Sequence, residues 1–120
     1  IEIRALLASE TSAEDMTWAD GIIFGTPENF GYMSGAMKDL FDRTFYPLEG
    51  QLEGMPIAIF ISAGNDGTGA LSSIRRIGNG YGFKEVQEPL ISVGELTDET
   101  LDACEALGMY LAAGLEGSIF

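Results

Sequence analysis

Apolar residues recur along this chain with two different periods, and the period separates strands from helices. Ile1-Glu-Ile-Arg-Ala-Leu-Leu-Ala8 opens by alternating, with Ile1, Ile3, Ala5 and Leu7 on one face and Glu2 and Arg4 on the other. That pattern predicts an edge strand. Gly21-Ile-Ile-Phe-Gly25 and Ile57-Ala-Ile-Phe-Ile61 have no polar face. Asp20 and Thr26-Pro27 bound the first run, Pro56 and Ser62-Ala-Gly64 the second, so both predict short strands covered on both sides. A fourth strand is expected within Glu85–Val93, interrupted at Pro89, which has no N–H for a ladder and favours an edge or a bulge.

Between these runs the period becomes helical. Ser34 is a capping hydroxyl ahead of Gly35–Phe45, where Met37, Leu40, Phe41, Thr44 and Phe45 form one stripe and Lys38, Asp39, Asp42 and Arg43 the opposite face. A shorter helix is predicted over Ala70–Ile77. A last one starts at Asp98, capped by Thr97 or Asp98, with Leu101, Cys104, Leu111 and Leu115 on its apolar stripe. Strands alternating with helices predict right-handed crossovers and one α/β domain over residues 1–120, a doubly wound parallel sheet between two helical layers. Ligands of such sheets bind outside the carboxyl ends of the strands, so the segments after Gly25 and Ile61 are where function is expected.

Composition removes several chemistries. The chain has 120 residues, 46% of them apolar, which suits one domain. It has no histidine and one cysteine, which excludes Ser-His-Asp and Cys-His nucleophiles, imidazole metal sites, thiolate zinc sites and an internal disulfide. Cys104 lies in a helical stripe and reads as a small buried hydrophobe. A net charge of −13 argues against nucleic acid as a partner. No apolar run approaches the ~20 residues of a bilayer span, and Glu2 and Arg4 stand where a signal peptide would be apolar, so a cytoplasmic location is the default expectation.

Two loops carry the candidate chemistry. Thr26-Pro-Glu-Asn-Phe-Gly-Tyr-Met-Ser34 is long for a connection from strand to helix, typically ~2–6 residues. Phe30, Tyr32 and Met33 are large apolar groups where a connector is usually polar, and Gly31 permits close backbone approach. These side chains either cover the sheet end or face a planar ligand. Ser34 is one place late for a Gly-x-Ser-x-Gly elbow and has no base. Ser62-Ala-Gly-Asn-Asp-Gly-Thr-Gly69 fits neither Gly-x-Gly-x-x-Gly nor a P-loop, and Asp66 opposes an anion. Its small residues expose N–H groups suited to ring carbonyls and nitrogens, although a plain glycine turn has the same composition.

The stretch Trp18-Ala-Asp-Gly-Ile-Ile-Phe-Gly-Thr-Pro27 and then Glu28-Asn-Phe-Gly-Tyr-Met-Ser-Gly-Ala-Met-Lys-Asp-Leu-Phe-Asp-Arg43 resembles the third strand, flavin loop and following helix of the flavodoxin-like NAD(P)H-dependent FMN and quinone reductases. Gly54-Met-Pro-Ile-Ala-Ile-Phe-Ile-Ser62 is similar to that family's fourth strand. The resemblance implies a flavodoxin-like sheet in 2-1-3-4-5 order with FMN at the strand ends and NAD(P)H as electron donor. It places Thr26, Pro27, Glu28, Asn29, Phe30, Gly31 and Met33 along one edge of the isoalloxazine, and Ser62, Ala63, Gly64 and Asn65 along the other. It implies a small-molecule electron acceptor, a quinone or flavin, and a homodimer or homotetramer, for which Tyr46, Tyr81 and Phe83 are candidate contacts. Arg75 or Arg76 is either a contact for an incoming phosphate or a surface charge.

Ile1 corresponds to the family's second strand, so the first strand and phosphate loop are expected to precede it. Ser9-Glu-Thr-Ser12 is a poor substitute because it carries Glu10. Without that strand, its two neighbours would have unpaired backbone groups. Two alternatives to a reductase stay open: a flavodoxin-type electron carrier, which suits the acidic surface, and a flavin-free interaction domain. The reductase is preferred because Ser62–Ser73 contains no aromatic residue, leaving one flavin face free for a nicotinamide.

Overall fold

The computed structural model describes residues 1–120. Its centre is the parallel pair β1 (Ile22–Asn29) and β3 (Pro56–Ala63), in register from Ile22 opposite Ile57 to Pro27 opposite Ser62. The first apolar run therefore continues as strand four residues beyond Gly25. It then turns back into β2 (Tyr32–Met33), antiparallel to β1 with Glu28 opposite Met33 and Asn29 opposite Tyr32. The long predicted loop is thus largely a β-hairpin whose tip is Phe30-Gly31, both with positive φ (52° and 68°).

The expected fourth strand is split, as Pro89 requires. Lys84–Glu85 (β4) pairs with the start of β3 and Leu90–Val93 (β5) with its end, while Pro89 sits just before β5, outside the ladder. β3 sends alternate residues to opposite faces. Ile57, Ile59 and Ile61 are buried with Phe24 against Met37, Leu40 and Phe41 of α2 (Gly35–Leu48) and Ala70 and Ile74 of α3 (Thr68–Tyr81). On the other face α4 (Asp98–Glu116) packs against β3 and β5. The result is the expected three-layer parallel architecture.

The helices depart from prediction at their ends. α2 runs past Phe45 through Pro47 to Leu48, and Ser34 Oγ caps it by accepting the Met37 N–H at 3.2 Å. α3 is longer than Ala70–Ile77 at both ends, because Gly78 is buried and Gly82, at φ 81°, closes the helix with a left-handed residue. The buried residues of α4 are Leu107, Leu111 and Gly114; Leu101 faces solvent and Cys104 is only half-buried. A short helix α1 (Ala13–Trp18) was not anticipated, although its capping box was present in the sequence: Ser12 Oγ accepts the Asp15 N–H and the Asp15 carboxylate accepts the Ser12 N–H. Tyr81 and Phe83 are not surface contacts. Tyr81 is buried, stacked on Phe83 at 4.8 Å between ring centroids, and donates to the Phe41 carbonyl at 2.9 Å. Burial raises its phenol above the usual range, and the hydrogen bond with Thr44 partly offsets this. Of the three expected contact residues only Tyr46 is exposed.

The largest correction concerns the N-terminus. Residues 1–7 form no strand, and Ile1, Ile3 and Leu7 are exposed. The segment is held by side chains instead: the Arg4 guanidinium lies 4.0 Å over the Trp18 ring and donates to Glu14 and Asp15, and Arg43 donates to the carbonyls of Ala8 and Thr11. A strand forms only against a partner. Residues 22–27 of β1 likewise have no neighbour on the edge away from β3. Between that edge and the N-terminal segment runs a mostly apolar groove of about 1300 Å³, lined by Ile3, Leu7, Ile23, Phe60 and Leu115 among others. With Ile3 81% exposed, Ile3→Asp is expected to change unfolding free energy by no more than ~0.5 kcal/mol, the usual range for surface sites. A chemical denaturation midpoint checks this, and a true edge strand would lose more.

Candidate functional site

The hairpin Glu28–Met33 and the loop Ser62–Gly67 leave the carboxyl ends of adjacent strands, β1 and β3, and meet at the N-terminus of α3. Thr26 is buried, and its hydroxyl accepts the Ser34 N–H at 2.9 Å and donates to the Pro27 carbonyl, so it anchors the base of the hairpin. Glu28 Oε2 accepts the Ala70 N–H at 3.1 Å, and the Met33 N–H donates to the buried Ser73 Oγ at 3.1 Å. Gly69 lies so close beneath the hairpin that a Cβ there would collide with the Gly31 carbonyl. Pro27, Asn29, Phe30 and Gly31 stay exposed, with Phe30 fully so at 108%.

In the second loop Ser62 is half-buried and Ala63 buried, ending the strand, while Gly64 and Asn65 are exposed. The N–H groups of Gly64 and Asn65 donate to nothing within the chain, and a Cβ at Gly64 would meet open space. Asp66 is exposed and turns back on its own chain: its carboxylate accepts the Thr68 N–H and hydroxyl at 3.0 and 2.9 Å, which holds it below the usual carboxylate range. Gly67 caps α3 at φ 74°.

This arrangement fits a flat heterocycle with a polar edge: small residues, free N–H donors and an exposed aromatic tip surround an open surface at the strand ends. The structure brings the two predicted groups of residues to neighbouring strand ends. It does not make Ser9–Ser12 a phosphate cradle, since the Thr11 hydroxyl donates to the Leu7 carbonyl and Ser12 caps α1. Arg75 is also committed, donating to both carboxylate oxygens of Glu85 at 2.9 and 2.8 Å, whereas Arg76 is exposed. Reasoning from sequence missed Ala70 and Ser73. They stand some forty positions from Glu28 and Met33, and no local pattern links them.

An open α/β sheet with such loops at its strand ends is the architecture of the flavodoxin-like flavoproteins. Residues 8–98 match the family model described as NADPH-dependent FMN reductase, and the chain belongs to that family. FMN and NAD(P)H are the cofactors of this class. A flavodoxin of Aquifex aeolicus is 32% identical over 127 residues, covering 92% of this chain and 69% of its own. An NAD(P)H dehydrogenase (quinone) of Acidithiobacillus ferrooxidans is 45% identical over 56 residues, 46% of this chain and 28% of its own length. Among solved structures, an archaeal flavodoxin superposes with a TM-score of 0.79 at 22% identity, covering 91% of this chain and 74% of that one, which establishes the fold. The chain spans about a quarter to a half of the quinone reductases it matches.

Proposed function

We propose that this chain forms the flavin-ring site of an FMN-dependent NAD(P)H oxidoreductase that serves a quinone, a flavin or a similar small acceptor. The observation that carries this reading is the pair of loops at the ends of β1 and β3, one with an exposed aromatic tip, the other with free N–H groups and no aromatic residue. FMN, when bound, would supply the hydride- and electron-transfer chemistry between a nicotinamide donor and the acceptor. Pro27, Asn29, Phe30 and Gly31 border one edge of the ring, and Ser62, Ala63, Gly64 and Asn65 the other; Met33, expected beside the ring, is instead buried in the core at 2% exposure. The N–H groups of Gly64 and Asn65, unused within the chain, would donate to the ring's polar edge and there favour negative charge. The lack of an aromatic over the second loop leaves room for a nicotinamide. Glu28 and Asp66, the carboxylates of the two loops, are both engaged by N–H groups at the start of α3, which suits them to orienting the loops.

Anaerobic mixing with NADPH tests the reading: rapid loss of the flavin band near roughly 450 nm is expected. A flavin that NADPH and NADH leave oxidised, but that a reduced partner protein reduces, would make the chain an electron carrier. The charge of −13 and the Aquifex flavodoxin favour this second reading. Assembly as a homodimer or homotetramer belongs to the same proposal, with exposed Tyr46 as a contact.

A further inference from the structure

Glu28 and Met33 are cross-strand partners at the base of the hairpin, and both connect to Ala70 of α3, Glu28 through the Ala70 N–H and Met33 through Ser73 to the Ala70 carbonyl. The Glu28 carboxylate takes the Ala70 N–H at 3.1 Å. The Ala70 carbonyl accepts the Ser73 hydroxyl at 2.8 Å, and Ser73 Oγ in turn accepts the Met33 N–H at 3.1 Å. These bonds close a ring between the hairpin and α3, the helix into which the Ser62–Gly67 loop leads. Ala70 and Ser73 are buried, and the missing side chain of Gly69 lets the Gly31 carbonyl settle against the helix. A carboxylate at the first turn of a 14-residue helix also lies where the helix dipole favours negative charge.

We propose that Glu28 is a positioning residue: by holding the Ala70 N–H it sets the spacing between the Phe30-Gly31 tip and the Gly64-Asn65 loop. This rests on the flavin reading above, because that spacing is the width offered to the ring. It also reassigns Glu28, which acts through α3 and not by touching the cofactor. The hairpin has only two residue pairs of its own, and its tip has two successive residues at positive φ, so it depends on outside contacts for its orientation.

The test compares Glu28→Ala and Glu28→Gln in the intact protein. Amide hydrogen exchange at Ala70 reads the latch without flavin, and FMN titration with the shape of the bound flavin spectrum reads its consequence. Glu28→Ala is expected to speed Ala70 exchange at least tenfold and to weaken FMN binding about tenfold with a changed visible spectrum. Glu28→Gln keeps an acceptor oxygen and is expected to restore both most of the way. Unchanged Ala70 exchange in Glu28→Ala overturns the latch. Faster exchange with FMN affinity and spectrum unaltered overturns its positioning role. A wild-type protein that takes up no FMN overturns the flavin reading, and the exchange data then stand as evidence on the latch alone.

Discussion

Replacing Phe41 by alanine is expected to cost ~3–5 kcal/mol, the range for emptying a buried aromatic site. Phe41 is 2% exposed, and its ring lies 5.3 Å from Phe24 and 5.6 Å from Tyr81, centroid to centroid. It joins the two central elements: Phe24 comes from β1, Tyr81 from the end of α3, and Tyr81 also donates to the Phe41 carbonyl. The cavity therefore opens where strand and both helices of one layer meet, and Phe24, Tyr81 and Phe83 cannot all move in to fill it. Against a total stability of ~5–15 kcal/mol, that loss removes a large part of the margin. A fall in melting temperature of roughly 10–20 °C is the readout. Phe30→Ala is the matching control. Phe30 is fully exposed and sits at φ 52°, so truncating it removes no packing and is expected to leave the melting temperature within a few degrees. Equal losses for the two variants would contradict this core.

The second large effect is expected from Gly69→Ala. A Cβ at this position meets the Gly31 carbonyl, a backbone atom with no rotamer by which to escape. Either the hairpin lifts from α3 or the helix start shifts, and both break the approach that the Glu28–Ala70 and Met33–Ser73 bonds depend on. Overpacking of this kind costs ~1–3 kcal/mol. The larger consequence is for the site, because the two loops are displaced relative to each other: FMN affinity is expected to fall at least tenfold while the folded core persists. Isothermal titration with FMN beside far-UV circular dichroism separates the two effects. Wild-type affinity in Gly69→Ala would mean that the hairpin's seat on α3 does not shape the flavin site. Gly108→Ala is the contrast, since a Cβ there, on α4 and away from both loops, finds open space.

Much of the sheet was legible because its strands are short, apolar on both faces and bounded by Pro, Gly or Asp. Those are local signals, and β1 and β3 follow them, as does the break of the last strand at Pro89. The hairpin was not legible in the same way. Thr26–Ser34 contains a glycine and a proline and no apolar alternation, and it becomes β2 only because Ser73 and Ala70 receive it from another element. Tyr81 and Phe83 were misjudged for a related reason. Tyr81 continues the helical spacing of Ile74 and Ile77, but Gly78 and Gly80 mask that continuation, and α3 carries it with Phe83 to a cluster whose other members come from β1 and α2.

By itself, then, the sequence determined the α/β class, the order of its main elements and the lack of any histidine for catalysis or metal binding. Hydrophobic period, punctuation and composition are properties of the chain that survive without tertiary context. Only the tertiary structure decided that residues 1–7 stay unpaired, since alternation makes a strand only where another strand supplies hydrogen bonds. Only the tertiary structure, too, turned Glu28 from an acidic loop residue into a partner of α3, because its hydrogen bond spans 42 positions of sequence and exists nowhere but in the folded molecule.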